Sequence, residues 1–150
     1  MEQSIGLDAK TIEIMRLTRK GYCCSQIMAL ILLNEMGREN PDLVRAVGGL
    51  CYGIGYSGGT CGALSGGVCL ISLLAGKGAD DESEKGPVPL MLADLVEWFK
   101  ERTEGAYGGT TCDDILASRP DKSACLALIA ETYDKVMSIL ESHGLTTEGR

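Results

Sequence analysis

The stretch from residue 46 to residue 76 carries no charge across 31 positions, and ten of them are glycine. A run of that length could span a bilayer. Its glycines, however, cluster in the middle as GIGYSGG, where lipid offers freed backbone groups no partner. No Lys/Arg cluster or Trp/Tyr belt flanks it. The segment reads instead as a buried hairpin, two helices around a glycine-rich loop. Gly62 and Gly66 lie four apart, as do Ala63 and Gly67. Small residues at that spacing share a helix face and let another helix approach closely.

Elsewhere apolar residues recur at helical spacing. Asp8 is placed to cap a first helix to about Lys20, with Leu7, Ile14, Met15 and Thr18 on one face. A second helix is expected from about Tyr22 to Met36, stopped by Gly37. Asn40-Pro41-Asp42 combines a capping side chain, Pro at the first helical position and an acid in the first turn. It opens a third helix whose face carries Leu43, Val44, Val47, Leu50 and Cys51. Thr60 is expected to open a fourth and Pro87 a fifth with Met91, Leu92, Leu95, Trp98 and Phe99 as its stripe. Thr111 and Asp114 match a capping box before a short helix. A last helix carries Cys125, Leu128, Ile129, Tyr133, Val136, Met137 and Leu140. No alternating strand stands out. The expectation is one all-α domain over residues 1–150: a compact bundle of about five to six helices with a buried Gly-rich loop between helices three and four.

Charge and leader signals limit the partners. A net charge of −7 provides no basic stripe for phosphates and disfavours both nucleic acid and anionic membranes. The opening MEQSIGLDAKTIEIMR lacks a basic segment leading into an apolar run. That points to a cytoplasmic chain with reduced thiols. The small-residue helix faces are compatible with a homodimer.

Four of the seven cysteines fall where a helix should begin. Cys24 follows Gly21, Cys61 follows Thr60, Cys112 follows Thr111, and Cys125 follows Asp121 by four residues. Helix starts expose unpaired N–H groups and the positive end of the macrodipole. Each is worth about 0.3–1 kcal/mol to an anion, so three converging ends would bring a thiol from about 8.5 to near 7. Such a set is suited to dithiol chemistry or to metal binding, and spacing does not choose between them. Cys69 lies mid-helix as a small hydrophobe, and Cys51 ends an apolar stripe, where core packing is its simplest role. Cys23 and Cys24 diverge by about 100° on a helix, so one faces the site and the other packs or is exposed. His143, the single histidine, sits near the terminus at the surface, which leaves no Cys–His pair.

Gly53, Gly55 and Gly58 match GxGxxG, with Asp80 as a following acid. A dinucleotide site needs a strand before that motif, and the preceding segment reads as helix. The loop's N–H groups could still form an anion-binding nest.

The run Cys61-Gly62-Ala63-Leu64-Ser65-Gly66 resembles the CGAxxG signature of the C_GCAxxG_C_C family, whose members are described as redox-active. Gly21, Tyr22, Cys24, Ser25 and Gln26 match its upstream GYxC[AS]Q context. Cys112 in TCDDIL and Cys125 at the last helix match its two later cysteines. The resemblance covers nearly the whole chain and selects the same four cysteines as the helix starts do. The family is similar to the non-haem domain of split-Soret cytochromes, which implies helical structure, redox work and a cysteine-ligated iron–sulfur cluster. It is often encoded near transporter genes. Cys23, Cys51 and Cys69 lie outside its pattern.

The leading expectation is therefore an electron-transfer protein whose Cys24, Cys61, Cys112 and Cys125 hold a 2Fe-2S or 4Fe-4S cluster. Backbone donors from Gly55, Gly58, Gly59 and Thr60 would tune its potential, and an unidentified protein would exchange electrons with it. A metal-free thiol–disulfide protein is the second reading, with Cys24–Cys61 or Cys112–Cys125 as pairs. A zinc or copper(I) carrier or sensor is a third. The blandest reading makes the cysteines core filler.

Overall fold

The computed structural model describes residues 8–148. Among them are seven α-helices: α1 (Ala9–Arg19), α2 (Cys24–Glu35), α3 (Pro41–Val47), α4 (Gly62–Ala75), α5 (Val88–Tyr107), α6 (Cys112–Ser118) and α7 (Ser123–Ser142). A 3-10 turn, Gly48–Leu50, follows α3. The count exceeds the expected total of five to six but matches the seven helices placed one by one along the sequence, the short α3 and α6 included. Asn40 caps α3 through the Leu43 amide at 3.1 Å. Thr111 and Asp114 close a reciprocal box on α6.

α4 is the central helix and packs on α2, α5 and α7. Its glycines make this possible. A methyl group on Gly66 would lie 3.0 Å from Cα of Ser25 and 3.1 Å from Cβ of Met28 on α2. On Gly67 it would lie 3.0 Å from Leu95 of α5 and 3.2 Å from Thr132 of α7. Close approach lets one core form from Ile14, Leu32, Ile71, Met91, Leu95, Phe99, Leu128, Tyr133 and Val136. Full burial of each large aliphatic or aromatic side chain is worth about 1.5–3 kcal/mol. On α1 the buried pair is Ile14 and Leu17, whereas Thr18 is exposed. The expected stripe residue Leu7 lies outside the described residues. Among the described residues no helix is long and apolar enough to cross a membrane.

The glycine loop lies between α3 and α4 as expected, but it is not buried. Tyr52, Ile54, Gly55, Tyr56, Ser57 and Thr60 are exposed, and only Cys51 and Gly53 are buried. The loop needs no core because it satisfies its own amides: Gly55 donates to Gly49 at 2.8 Å, Tyr56 to Cys51 at 2.9 Å, and Gly58 to Tyr52 at 2.9 Å. This wrapping needs five consecutive positive φ values, from Tyr52 at 52° through Ile54 at 70° to Tyr56 at 63°. Gly53 and Gly55 adopt that region freely. Tyr52, Ile54 and Tyr56 each pay about 1–2 kcal/mol for it.

Candidate functional site: a four-cysteine cavity

Four helix starts meet at one cavity of about 280 Å³. Cys24 is the first residue of α2, Cys61 is the N-cap of α4, Cys112 is the first residue of α6, and Cys125 is the third of α7. All four line the cavity. α4 thus starts one residue later than expected: Thr60 is not its cap but forms an isolated antiparallel bridge with Thr111. The rest of the wall is mainly apolar, with Ile27, Ile115, Leu116, Leu126 and Ile129. Tyr52, Asp121 and Lys122 also line it.

Local contacts explain the convergence. Gly62 sits under Cys24, since a methyl group there would lie 3.0 Å from the Cys24 Cβ. This holds the starts of α2 and α4 in van der Waals contact. The amide of Cys112 donates to the Gly59 carbonyl at 2.6 Å and that of Asp113 to Gly58 at 3.2 Å. The Asp113 carboxylate lies where a side chain on Gly58 would stand, 2.2 Å from its methyl position, and Gly58 has φ of +80°. Gly58 is therefore required twice, by backbone conformation and by close approach.

Electrostatics separate the four thiols. The Cys24 and Cys125 thiols face the same cavity, and their interaction is the largest influence on both. It raises Cys24 well above the ordinary thiol value, with burial adding to the effect. It lowers Cys125 to about 7, helped by the Lys122 ammonium against the cost of burial. Burial raises Cys61 to about 11, although the amides of Ala63 and Leu64 pull the other way. Burial also raises Cys112, with Cys125 and Asp113 adding to it. The expected lowering by helix ends thus prevails at none of the four: Cys125 alone is lowered, and chiefly by the Cys24 thiol, with Lys122 helping. A helix end gives a thiolate about 0.3–1 kcal/mol, and withdrawal from water costs more than that.

The glycine loop does not serve as a donor set here. Gly55, Gly58, Gly59 and Thr60 are not in the cavity wall. The amides of Gly55, Gly58 and Gly59 are already given to Gly49, Tyr52 and Gly53. Three of the four expected donors thus hold the loop together, and the Gly58 and Gly59 carbonyls seat α6. The loop's contribution to the cavity is Tyr52, whose hydroxyl takes a hydrogen bond from the Lys122 ammonium at 3.2 Å. Neither residue stands out in the sequence, because a positive φ at Tyr52 or Lys122 has no signature in those residue types.

Cys23 and Cys51 form a disulfide. This corrects two expectations: Cys51 is not simply core filler, and the thiols are not all reduced. Cys23 also lines the cavity. Cys69 is half-buried on α4 and away from the cavity, and burial raises its pKa. His143 is exposed at the end of α7, as expected. Among the described residues no group of three or more His, Cys, Asp or Glu side chains is arranged to hold a metal ion.

Neither a curated protein nor a solved structure matches the chain. The model of one family does, over residues 22–139, and its description is "Putative redox-active protein (C_GCAxxG_C_C)". That span runs from the residue before the Cys23–Cys51 disulfide to the last turn of α7 and contains all four cavity thiols, so the chain belongs to the C_GCAxxG_C_C family.

Proposed function

We propose that this chain is an electron-transfer protein that carries an iron–sulfur cluster on Cys24, Cys61, Cys112 and Cys125. The observation that supports it most is the meeting of four thiols from four helix starts in one mainly apolar cavity. A donor set of four soft sulfurs fits iron–sulfur clusters. When bound, a cluster supplies one-electron redox chemistry at a potential set by charge, hydrogen bonding and exposure.

This chain's residues do the rest. Lys122, in the cavity wall, offsets the negative charge of gathered thiolates. Ile27, Ile115, Leu126 and Ile129 keep water from the sulfurs, and a drier site strengthens each electrostatic contact. The Ala63 and Leu64 amides favour the thiolate of Cys61. Binding would require the thiols to lose their protons, which makes uptake dependent on pH.

The test is anaerobic purification from cells with intact iron–sulfur assembly. Brown protein containing iron and sulfide is expected, with both lost in Cys61→Ser. Wild-type protein with neither would refute the reading. The same analysis detects zinc or copper(I).

A metal-free dithiol is the second reading, favoured by the presence of Cys24 and Cys125 in one cavity wall, where each thiol is the largest influence on the other. The pair would then be Cys24–Cys125, not Cys24–Cys61 or Cys112–Cys125. Mild oxidation should consume these two thiols and leave the other three of the five free cysteines. If all five stay free and inert, this reading fails.

A further inference from the structure

We propose that the Cys23–Cys51 disulfide is a second redox site, reduced by a dithiol from solvent, and that its state controls access to the four-cysteine cavity. The inference holds whether the cavity carries a cluster or free thiols. It begins from where the disulfide sits. One sulfur belongs to Cys23, the N-cap of α2, which is partly exposed and lines the cavity. The other belongs to Cys51, which is 5% exposed and ends the 3-10 turn. The residue after Cys51 is Tyr52, which also lines the cavity.

Tyr52 and Lys122 both line the cavity and reach solvent, as do Thr18 and Asp121, so these residues frame its mouth. The first two come from opposite sides, Tyr52 from the glycine loop and Lys122 from the turn before α7. The Lys122 ammonium donates to the Tyr52 hydroxyl at 3.2 Å and stands 5.2 Å from the ring centroid. Tyr56 stacks on Tyr52 itself, with ring centroids 5.2 Å apart. Together they form a bar across the opening.

The bar is anchored by a segment of disfavoured backbone. Tyr52, Ile54 and Tyr56 are all left-handed, and Lys122 at the other side has φ of 65°. Such conformations persist where surrounding structure over-determines them. The disulfide ties the residue just before this segment to the start of α2. Opening the bond removes that tie, and the segment then relaxes away from the mouth.

Exposure fixes the order of the chemistry. A thiolate of the dithiol attacks the Cys23 sulfur, and Cys51 leaves as a thiolate. The second thiol of the reductant then closes on the mixed disulfide and releases Cys23. The reductant loses two electrons and two protons as a cyclic disulfide, and Cys23 and Cys51 gain both as thiols.

The experiment compares oxidised chain with chain reduced by dithiothreitol and freed of it. A bulky maleimide is applied in pulses, and each cysteine is read by mass spectrometry. At least tenfold faster labelling of Cys24, Cys61, Cys112 and Cys125 is expected after reduction. Cys69, away from the cavity, should not change and serves as the internal control. Tyr52→Ala should give the same acceleration with the disulfide intact, and Cys51→Ser should give it without reductant. If Cys51→Ser does not fold, reduced wild type and Tyr52→Ala decide. Where the chain carries iron, its release to a ferrous chelator replaces labelling, with the same tenfold expectation. Equal rates in the two redox states overturn the proposal. So does a Cys23–Cys51 bond that excess dithiothreitol leaves intact in the folded chain. Iron-free protein would refute the cluster reading and leave this test intact on the thiols.

Discussion

Gly66→Ala should destabilise the protein, although alanine is the better helix former. An added methyl group would stand 3.0 Å from the Ser25 Cα and 3.1 Å from both Cβ and Cγ of Met28. Ser25 cannot easily yield, because its fully buried hydroxyl donates to the Val47 carbonyl at 2.8 Å and holds α2 to α3. Overpacking of this kind costs about 1–3 kcal/mol. The intrinsic gain from Gly to Ala within a helix is about 0.8–1 kcal/mol. Gly105 in α5 isolates that gain, since a methyl group there meets nothing within 4 Å. Gly105→Ala should therefore stabilise, and the two variants should differ by the steric cost alone, about 1–3 kcal/mol. Urea denaturation measures the difference directly. In thermal melts Gly105→Ala should gain about 2–4 °C, and Gly66→Ala should fall several degrees below it. Two variants equal within about 0.5 kcal/mol, a limit set by ordinary surface substitutions, would refute the claim that α4 and α2 are in contact through this glycine.

The thiols should separate by pH. In metal-free protein, iodoacetamide should label Cys125 with a midpoint near pH 7, while Cys61 resists until about pH 11. Cys61 stays neutral in the fold and ionises in the unfolded chain near its ordinary value of 9.0, so stability should fall as pH rises from about 9 toward 11. Cys125 acts in the opposite sense, and its contribution is lost as pH falls through about 7. Urea midpoints across that range check both signs. Ser25→Ala should cost about 1–2 kcal/mol, because the Val47 carbonyl loses its donor in a buried place. Ile54→Gly should stabilise by about 1 kcal/mol by relieving a left-handed β-branched residue. A loss of stability in that variant would show that the exposed Ile54 side chain is held by contacts.

Much of the fold was legible because its signals are local. Asn40-Pro41 and the Thr111/Asp114 box each specify a helix start within four residues, and both caps form. The glycines at 62, 66 and 67 announced close helix contacts, and they lie against α2, α5 and α7. The same logic placed four cysteines at helix starts, and those starts open on one cavity. What was not legible depends on distant partners. Nothing in the spacing of Cys23 and Cys51 announces a disulfide; the one hint is that both fall outside the four-cysteine pattern. The sign of the thiol pKa values was hidden too, because burial is a property of the assembled core. The loop misled most. Its glycines matched an anion-binding motif, yet the amides of Gly55, Gly58 and Gly59 go to nearby carbonyls.

The bridge between Thr60 and Thr111 has a topological result. Each threonine stands immediately before a cavity cysteine, so the bridge closes the polypeptide between them into a ring stitched at its neck. The segment 77–86 lies on that ring, largely in solvent and far along the chain from either cysteine. A protease nick there, or new chain ends made there by circular permutation, cuts the ring opposite its neck. Cys61 and Cys112 then keep their mutual placement, because it was never secured by an unbroken chain.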